Sequence, residues 1–545
     1  MKLLAFRYWV PVLAATAIGI TLRAIIIYNG SIWADEGTFL NVVAAPTTSE
    51  MIAFLKYHES HPPLFYLVMR GWSYIADGRD SVLMILPIVL GGLIVPAAFV
   101  AGRELFSEKV GMIAAFLAAV APQLTEHASQ LRPYGLLSLC TLASAAALTV
   151  VVTSPTRRAW ACYSFGTAAM LYTHNWGWLI AAGELAAALL VLRSQASGLR
   201  RSTIGGLALS WLAILAIYSV WIPSFLYQSG HAGHGRLPLE NISDYLGYLF
   251  FSISVILESL LVGRHGERQI VAIVGLCVAV AAFSQTRMRY SQRGDISSPS
   301  ISDIRAKMCM YITLFALLAA LVLSPFNNLI LPRSVATVTP MLILALAYWI
   351  SRLIARSLAP SSAQLGAALL GFACAAGVFQ TSALLDRPRS NAGAIANGVR
   401  ANARPNDLLV VAPEWFAPSF DHYFPESIEQ IDYPYAARST MIDFSNIWLT
   451  RSQSTATDMV RSRMADAHQN GRRTWFVVEH RYLRQFNPGE LEKAYRNKRP
   501  DALTVRDIHF MLAVLDSLYG KPQRVLRANE PQPLYDEMIA YLYGR

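Results

Sequence analysis

Asp35 and Glu36 stand side by side in the stretch ADEGTF, a few residues past the first long apolar run of the chain. Two adjacent carboxylates can supply a general base, or a base and an orienting partner. Lys56, His58 and His61 follow in FLKYHESHPPLF. Cations this close to an acidic pair point to an anionic substrate. His58 and His61 also have the spacing of a metal pair, but without a carboxylate or cysteine set beside them that pattern is weak. His61-Pro62-Pro63 opens an apolar helix. The prolines fit a first helical turn, whose N–H groups are unpaired in any case. They leave His61 unexplained.

Three later segments add polar and aromatic groups: PQLTEHASQLRPYG (122–135), THNWGW (173–178) and SPFNNLILPRSV (324–335). Arg132 and Tyr134 flank Pro133 at the start of an apolar run, and Arg333 follows Pro332. An arginine at the edge of a bilayer either snorkels or grips phosphate oxygens through its planar fork. His174 lies beside Trp176 and Trp178, which also fit an interfacial aromatic belt. Arg23 falls inside the first apolar run, near its outer end. A charge at a span's centre costs roughly 2.5–3.5 kcal/mol, and less toward the interface.

These segments need elements to hold them, and the composition says which. Of 545 residues, 54% are hydrophobic and 15% charged, against about 25% charged in soluble domains. Mean hydropathy is +0.37. The apolar residues come in blocks of roughly 15–25, long enough to cross a hydrocarbon core of about 30 Å as helices. Candidate spans are 8–28, 82–102, 110–124, 136–152, 159–174, 177–192, 204–223, 269–286, 308–324, 336–350 and 364–384. The N-terminal run has no cleavage site at the right place and reads as the first of them. The five cysteines, Cys140, Cys162, Cys277, Cys309 and Cys374, lie in or beside apolar blocks with no paired spacing, as small core residues do.

The charges orient this set. Residues 386–545 hold 21 Lys+Arg against 19 Asp+Glu, and the remainder 25 against 16, so the apolar part supplies +9 of the net +11. Those basic residues occupy short loops between spans: Lys2 and Arg7, Arg103 and Lys109, Arg157 and Arg158, Arg193, Arg200 and Arg201, then Arg287, Arg289, Arg293, Arg305 and Lys307, then Arg352 and Arg356. They set topology and do not form a nucleic-acid surface. With these spans all of them fall on one side, which the positive-inside rule makes cytoplasmic. The acidic pair and the later polar segments then face outward. Residues 64–76 and 244–262 are apolar but ambiguous. Both are placed as interfacial or re-entrant helices on the outer side; if both span, the count rises from about eleven to about thirteen.

The expected architecture is therefore a polytopic α-helical membrane domain over 1–385, followed by a soluble, extracytoplasmic α/β domain over 386–545. In the latter, 391–404, 457–470 and 508–519 read as helices, and 407–412 and 474–479 as strands. Strands alternating with helices predict a sheet with parallel strands. Its glycines form no phosphate-binding fingerprint, so it reads as a lid or acceptor-guiding module.

Taken together these segments resemble a known family. ADE with Asp35-Glu36 resembles the acidic motif of the GT-C glycosyltransferases. HPPLFYLVMRGW, AGRELFSEKVGMIAAFLAAVAPQ and SQLRPYGLLSL are similar to the segments that follow in its protein-mannosyltransferase and lipid A aminoarabinose-transferase branch, and LPRSVATVTP to its late outer loop. The resemblance covers roughly residues 1–350, and the C-terminal domain resembles the extracytoplasmic α/β domain of many bacterial members.

The resemblance implies a multi-pass bacterial inner-membrane enzyme with its C-terminal domain in the periplasm. It implies an inverting transferase that takes a sugar from a polyprenyl-phosphate donor in the lipid bilayer and passes it to a glycan, glycolipid or protein acceptor. Asp35 matches the catalytic acidic position and Glu36 the residue beside it. His58, His61, Arg132 and Arg333 fall in segments around the donor phosphate and sugar, with Lys56, Tyr134 and His174 beside them. Beyond Glu126, residues 123–135 carry no second acidic motif, so no clear motif supports a divalent metal cofactor. The competing reading is a transporter or flippase for a lipid-linked sugar, which would place polar residues along its spans and often shows internal repeats; neither is seen in the sequence. A polysaccharide polymerase or ligase would share the outer-face chemistry but use diphosphate-linked lipids.

Overall fold

A computed structural model describes residues 2–193, 197–231, 242–261, 300–324, 329–355, 360–424, 428–434, 454–484, 500–527 and 532–544. The span expected over 269–286, Cys277, the basic residues Arg287, Arg289, Arg293 and Arg356, and residues 325–328 lie outside this set. The chain forms two compact units. One comprises Met1–Ile25, His61–Leu226 and His234–Ala383; the other comprises Ile26–Ser60, Tyr227–Gly233 and Leu384–Arg545.

The first unit is helical. Among the described residues six helices are long and apolar enough to cross a membrane: Tyr8–Tyr28, Asp80–Leu105, Tyr134–Thr153, Ser197–Tyr218, Ile301–Leu323 and Pro332–Ala355. Gly177–Leu192 and Tyr245–Ile256 are shorter apolar helices. The protein is thus a multi-pass membrane protein, as its apolar blocks predict. Along the chain, with α2 and α3 falling in the second unit, the helices are α1 (Lys2–Tyr28), α2 (Ala34–Val43), α3 (Thr48–His58), α4 (Leu64–Ala76), α5 (Asp80–Leu83), α6 (Ile85–Leu105), α7 (Glu108–Val120), α8 (Pro122–His127), α9 (Tyr134–Thr153), α10 (Arg157–Thr173), α11 (Gly177–Leu192), α12 (Ser197–Tyr218), α13 (Ile222–His231) and α14 (Ile242–Leu261). After them come α15 (Ile301–Leu323), α16 (Pro332–Val335), α17 (Thr339–Ala355) and α18 (Pro360–Leu385).

Two differences from the sequence reading have local causes. The span expected over 110–124 is two helices. α7 has 13 residues, roughly 20 Å at 1.5 Å per residue, and Pro122 starts α8 after an extended Ala121, because a proline disfavours helical geometry in the residue before it. The outer stretch from Asn29 to Pro63, read as a loop, contains α2 and α3. Thr47 starts α3 by accepting the Glu50 N–H at 3.1 Å, a side-chain cap that satisfies one orphan donor.

Close packing in the first unit relies on small residues. A Cβ on Gly102 of α6 would meet the Cα of Gly111 in α7 at 2.7 Å, so this pair lets the two backbones touch. Arg23, the charge inside α1, is fully buried. Its guanidinium donates to the carbonyls of Gly19 at 2.9 Å and Ala118 at 3.4 Å. Two of its three nitrogens are thus used on helix backbones, while Nε has no hydrogen-bond partner.

The second unit is built on a five-stranded sheet in the order β2-β1-β3-β5-β4. The strands are β1 (Leu408–Ala412), β2 (Glu429–Asp432), β3 (Thr474–Glu479), β4 (Arg524–Leu526) and β5 (Met538–Tyr543). β1 pairs in parallel with β2 and β3, while β5 runs antiparallel to both β3 and β4. The sheet is mixed: the predicted parallel strands form one side, and the unpredicted C-terminal run MIAYLY inserts antiparallel beside β3. β1 and β3 are buried along their whole length, as continuous apolar runs in a covered sheet require. Asp407 and Arg473 anchor the strand starts in a two-point pair at 2.9 and 2.7 Å, with Trp475 Nε1 donating to the same carboxylate at 3.0 Å. The helices packed here are α19 (Ala392–Arg400), α20 (Ala417–Tyr423), α21 (Ser454–Gln469), α22 (Arg481–Arg484) and α23 (Pro500–Tyr519).

Candidate active site

The acidic pair belongs to the second unit, in the first turn of α2. The chain enters this turn through Gly30, at φ +92°, where a Cβ would meet the Arg389 nitrogen at 2.8 Å. Only glycine adopts that conformation readily, and it lets residues 29–31 lie against 389–390. The Arg389 N–H donates to Asn29 O at 2.8 Å, and the Ser31 N–H donates to Ser390 O at 3.1 Å. Asn29 Nδ2 donates to the carbonyls of Leu385 and Arg387 at 2.7 and 3.0 Å.

The next residues are held in turn. The Ile32 N–H donates to the Tyr423 hydroxyl at 3.0 Å. Trp33 stacks on Tyr535 with ring centres 4.6 Å apart. Trp33 occupies the N-cap of α2 but has no side-chain oxygen to accept a helix N–H. The acceptor comes from far along the chain: the Ala34 N–H donates to Asp536 Oδ2 at 2.6 Å.

This frame separates the two acids. Glu36 is fully buried. It pairs with buried Arg389 and accepts the Trp33 N–H at 3.4 Å. Asp35 stays partly exposed. Gly37, next in the turn, lies so close to α20 that a Cβ would sit 2.5 Å from the Ser419 nitrogen.

Behind the turn lie further carboxyls. Burial, then the negative charge of Glu479, pushes Asp536 well above the ordinary carboxyl range; the Asp35 charge adds to this, while Ala34 N–H and Arg481 oppose it. Glu479 is raised to about 7, mainly by burial, although Arg481 sits 2.6 Å away. Lys56 and His58 occupy the last turn of α3, where cations complement the helix C-terminus. Gln228 ties α3 down by donating to Leu55 O at 2.7 Å.

The remaining predicted residues belong to the first unit, and the fold gathers them at helix ends. His61 precedes α4, Arg132 and Tyr134 bracket the start of α9, His174 links α10 to α11, and Arg333 lies in the first turn of α16. The His61 and His174 rings meet edge to face at 4.6 Å, and the Tyr134 ring is 5.6 Å from His174. Loss of hydration, then the charges of His61, Arg132 and Arg333, hold the His174 imidazole well below the usual histidine range. Its Nδ1 accepts the Trp176 N–H at 3.0 Å. The neutral ring therefore carries its proton on Nε2 as a donor. Trp176 Nε1 donates to Leu329 O at 3.0 Å, which fixes the segment leading to Arg333. Two histidines, a tyrosine and two arginines in one place suit an anion.

Sequence reading missed several groups. Arg389, Tyr423, Tyr535 and Asp536 carry no local signal, because their partners lie hundreds of residues away. His127 is buried on α8 with its Nε2 3.8 Å from Glu126. Glu184, fully buried in α11, accepts from Ser144 Oγ at 3.0 Å; a carboxyl in an apolar helix was a visible signal. Among the described residues no group of three or more His, Cys, Asp or Glu side chains is placed to hold a metal ion.

A multi-pass helical region and a mixed α/β region make up an ArnT-like fold. Residues 60–222 match the family model of the dolichyl-phosphate-mannose-protein mannosyltransferases. ArnT from Cupriavidus metallidurans in the apo state shares the fold with a TM-score of 0.57 and 13% identity, over 99% of this chain and 98% of that one. The same enzyme bound to undecaprenyl phosphate gives 0.56 and 12%, over 98% and 97%. The oligosaccharyltransferase AglB from Archaeoglobus fulgidus, in complex with an inhibitory peptide and a dolichol-phosphate, gives 0.54 and 12%, over 88% and 70%. No curated protein matches by sequence. The family resemblance seen in the motifs is borne out by the segment match and the shared fold.

Proposed function

We propose that the protein is an inverting glycosyltransferase that moves a sugar from a polyprenyl-phosphate donor to a cell-envelope acceptor, at the periplasmic face of a bacterial inner membrane. The gathering of His61, Arg132, Tyr134 and Arg333 around a neutral His174 carries this reading. The fold shared with a protein crystallised with undecaprenyl phosphate, and the family matched over 60–222, agree with it. The basic loops between spans support the orientation, by the positive-inside rule.

The chemistry is a single displacement. The acceptor hydroxyl attacks the anomeric carbon as the bond from that carbon to the phosphate oxygen breaks, and polyprenyl phosphate leaves. Asp35 takes the hydroxyl proton as general base. Arg132, Arg333 and the Nε2–H of His174 stabilise the charge that grows on the leaving phosphate, with His61 and Tyr134 beside them. Lys56 and His58 are assigned to donor binding on the family pattern. Glu36, buried against Arg389, orients the turn.

Incubating the purified protein in nanodiscs with a polyprenyl-phosphate sugar and an envelope extract tests this. Release of polyprenyl phosphate with sugar transfer is the expected result. Passage of the lipid-linked sugar across vesicles without release would replace it with the flippase.

A further inference from the structure

We propose that the C-terminal region is part of the catalytic device: Arg389, Tyr423 and Asp536 are positioning residues that lock the first turn of α2 and so aim Asp35, with Glu36 as the handle Arg389 grips. The idea builds on the transferase reading of Asp35.

Residues 31–37 are held by contacts from residues 389–393, 419–423 and 535–536. Ser31 bonds to Ser390 O through its N–H, and its Oγ accepts the Gly393 N–H at 2.9 Å. Ile32 donates to Tyr423, Trp33 lies on Tyr535, and Ala34 donates to Asp536. Glu36 pairs with Arg389, and Gly37 abuts Ser419. The Ala34 contact satisfies an N–H that an isolated helix start would leave to water, and the others tie the residues on either side of it. The turn is therefore held from several sides, and a carboxylate positioned in this way serves a base better than one on a loose loop. A buried ion pair adds little net stability compared with apolar packing, so its better-attested use is to specify geometry.

The Asp536 anchor is itself continuous with the sheet. Asp536 pairs in a bridge with Ser390 and lies two residues before β5. Asn391 Nδ2 donates to Met538 O and its Oδ1 accepts the Met538 N–H, at 2.8 and 2.7 Å. Strand, clamp and acidic turn form one hydrogen-bonded frame.

The test uses the full chain in nanodiscs, with hydrogen exchange over residues 31–37 and steady-state transfer measured on the same samples. Arg389→Gln and Glu36→Gln should each speed exchange there about tenfold or more. Each should lower kcat by about 10- to 100-fold while donor KM stays within about twofold. The double variant should be no worse than either single one, because the two residues act as a unit. Faster exchange with unchanged kcat would reduce the frame to a structural brace and overturn the proposal. Multiplying losses in the double variant would show Glu36 acting on reacting atoms, and would also overturn it. If Arg389→Gln loosens Thr474–Glu479 as well, Tyr423→Phe decides: selective exchange at Ile32 with a lower kcat is expected, and no change in either defeats the idea. If wild type releases no polyprenyl phosphate, the transferase reading fails, while the exchange measurements still report on the clamp.

Discussion

Arg389 reaches back 353 positions to grip Glu36, and both side chains are buried. The pairing divides the labour of the acidic motif. One carboxylate is tied to a guanidinium inside the fold, and its neighbour Asp35 is only partly buried. Removing one member of such a pair leaves the other as an uncompensated buried charge, at roughly 3–5 kcal/mol.

Asp35→Asn should lower turnover by about 10²–10⁴, the range for loss of a general base. Donor binding should persist. Single-turnover transfer assays and a lipid-phosphate binding measurement on the same variant check both halves; a normal rate would remove Asp35 from its role.

Arg132→Ala and Arg333→Ala should each weaken donor handling by about 10- to 100-fold in kcat/KM, the worth of one charge-assisted hydrogen bond of roughly 1.5–3 kcal/mol. Arg132→Lys keeps the charge but loses the fork and should fall between wild type and alanine. Titration with polyprenyl phosphate as product inhibitor reads this directly.

His174 gives a pH signature. Its folded pKa lies below the ordinary value of 6.5, so between those two values the unfolded chain binds the extra proton. Stability is full above about 6.5 and is lost as pH falls through that window. The thermal midpoint should drop on acidification from pH 7, and His174→Gln should flatten that slope. An unchanged slope would contradict the neutral ring.

Glu479 has the opposite sign. Its folded pKa is raised to about 7 from 4.5, so the folded state holds the extra proton. The associated stability is present at low pH and lost as pH rises through about 7. Glu479→Gln should remove this loss, which a pH series of hydrogen exchange on Thr474–Val478 would follow.

Gly37→Ala should destabilise the second unit, by roughly 1–3 kcal/mol as for other overpacked sites. The new Cβ would meet backbone atoms of Ser419 and Pro418, which cannot swing aside. A lowered thermal midpoint, with faster exchange in 417–423, is the expected readout.

Much of this protein is legible in one dimension. Apolar runs mark the helices of the membrane domain, because burial in hydrocarbon demands a long apolar segment with its backbone bonded internally. LLVVA and TWFVVE mark buried strands for a similar reason. His61, Arg132 and Arg333 stand out because prolines beside them announce helix starts, and helix ends are where loops deliver polar groups. The acidic pair is visible as a motif. Its internal division is not: nothing in ADEGTF tells Asp35 from Glu36. That distinction comes from Arg389 and Asp536, brought in from the far end of the chain by a mixed sheet whose antiparallel strand β5 had no alternating pattern to betray its partner. Local periodicity records which face of an element is apolar. Only tertiary packing decides which distant charge closes on a buried carboxylate, because that choice depends on desolvation and geometry shared between segments hundreds of residues apart.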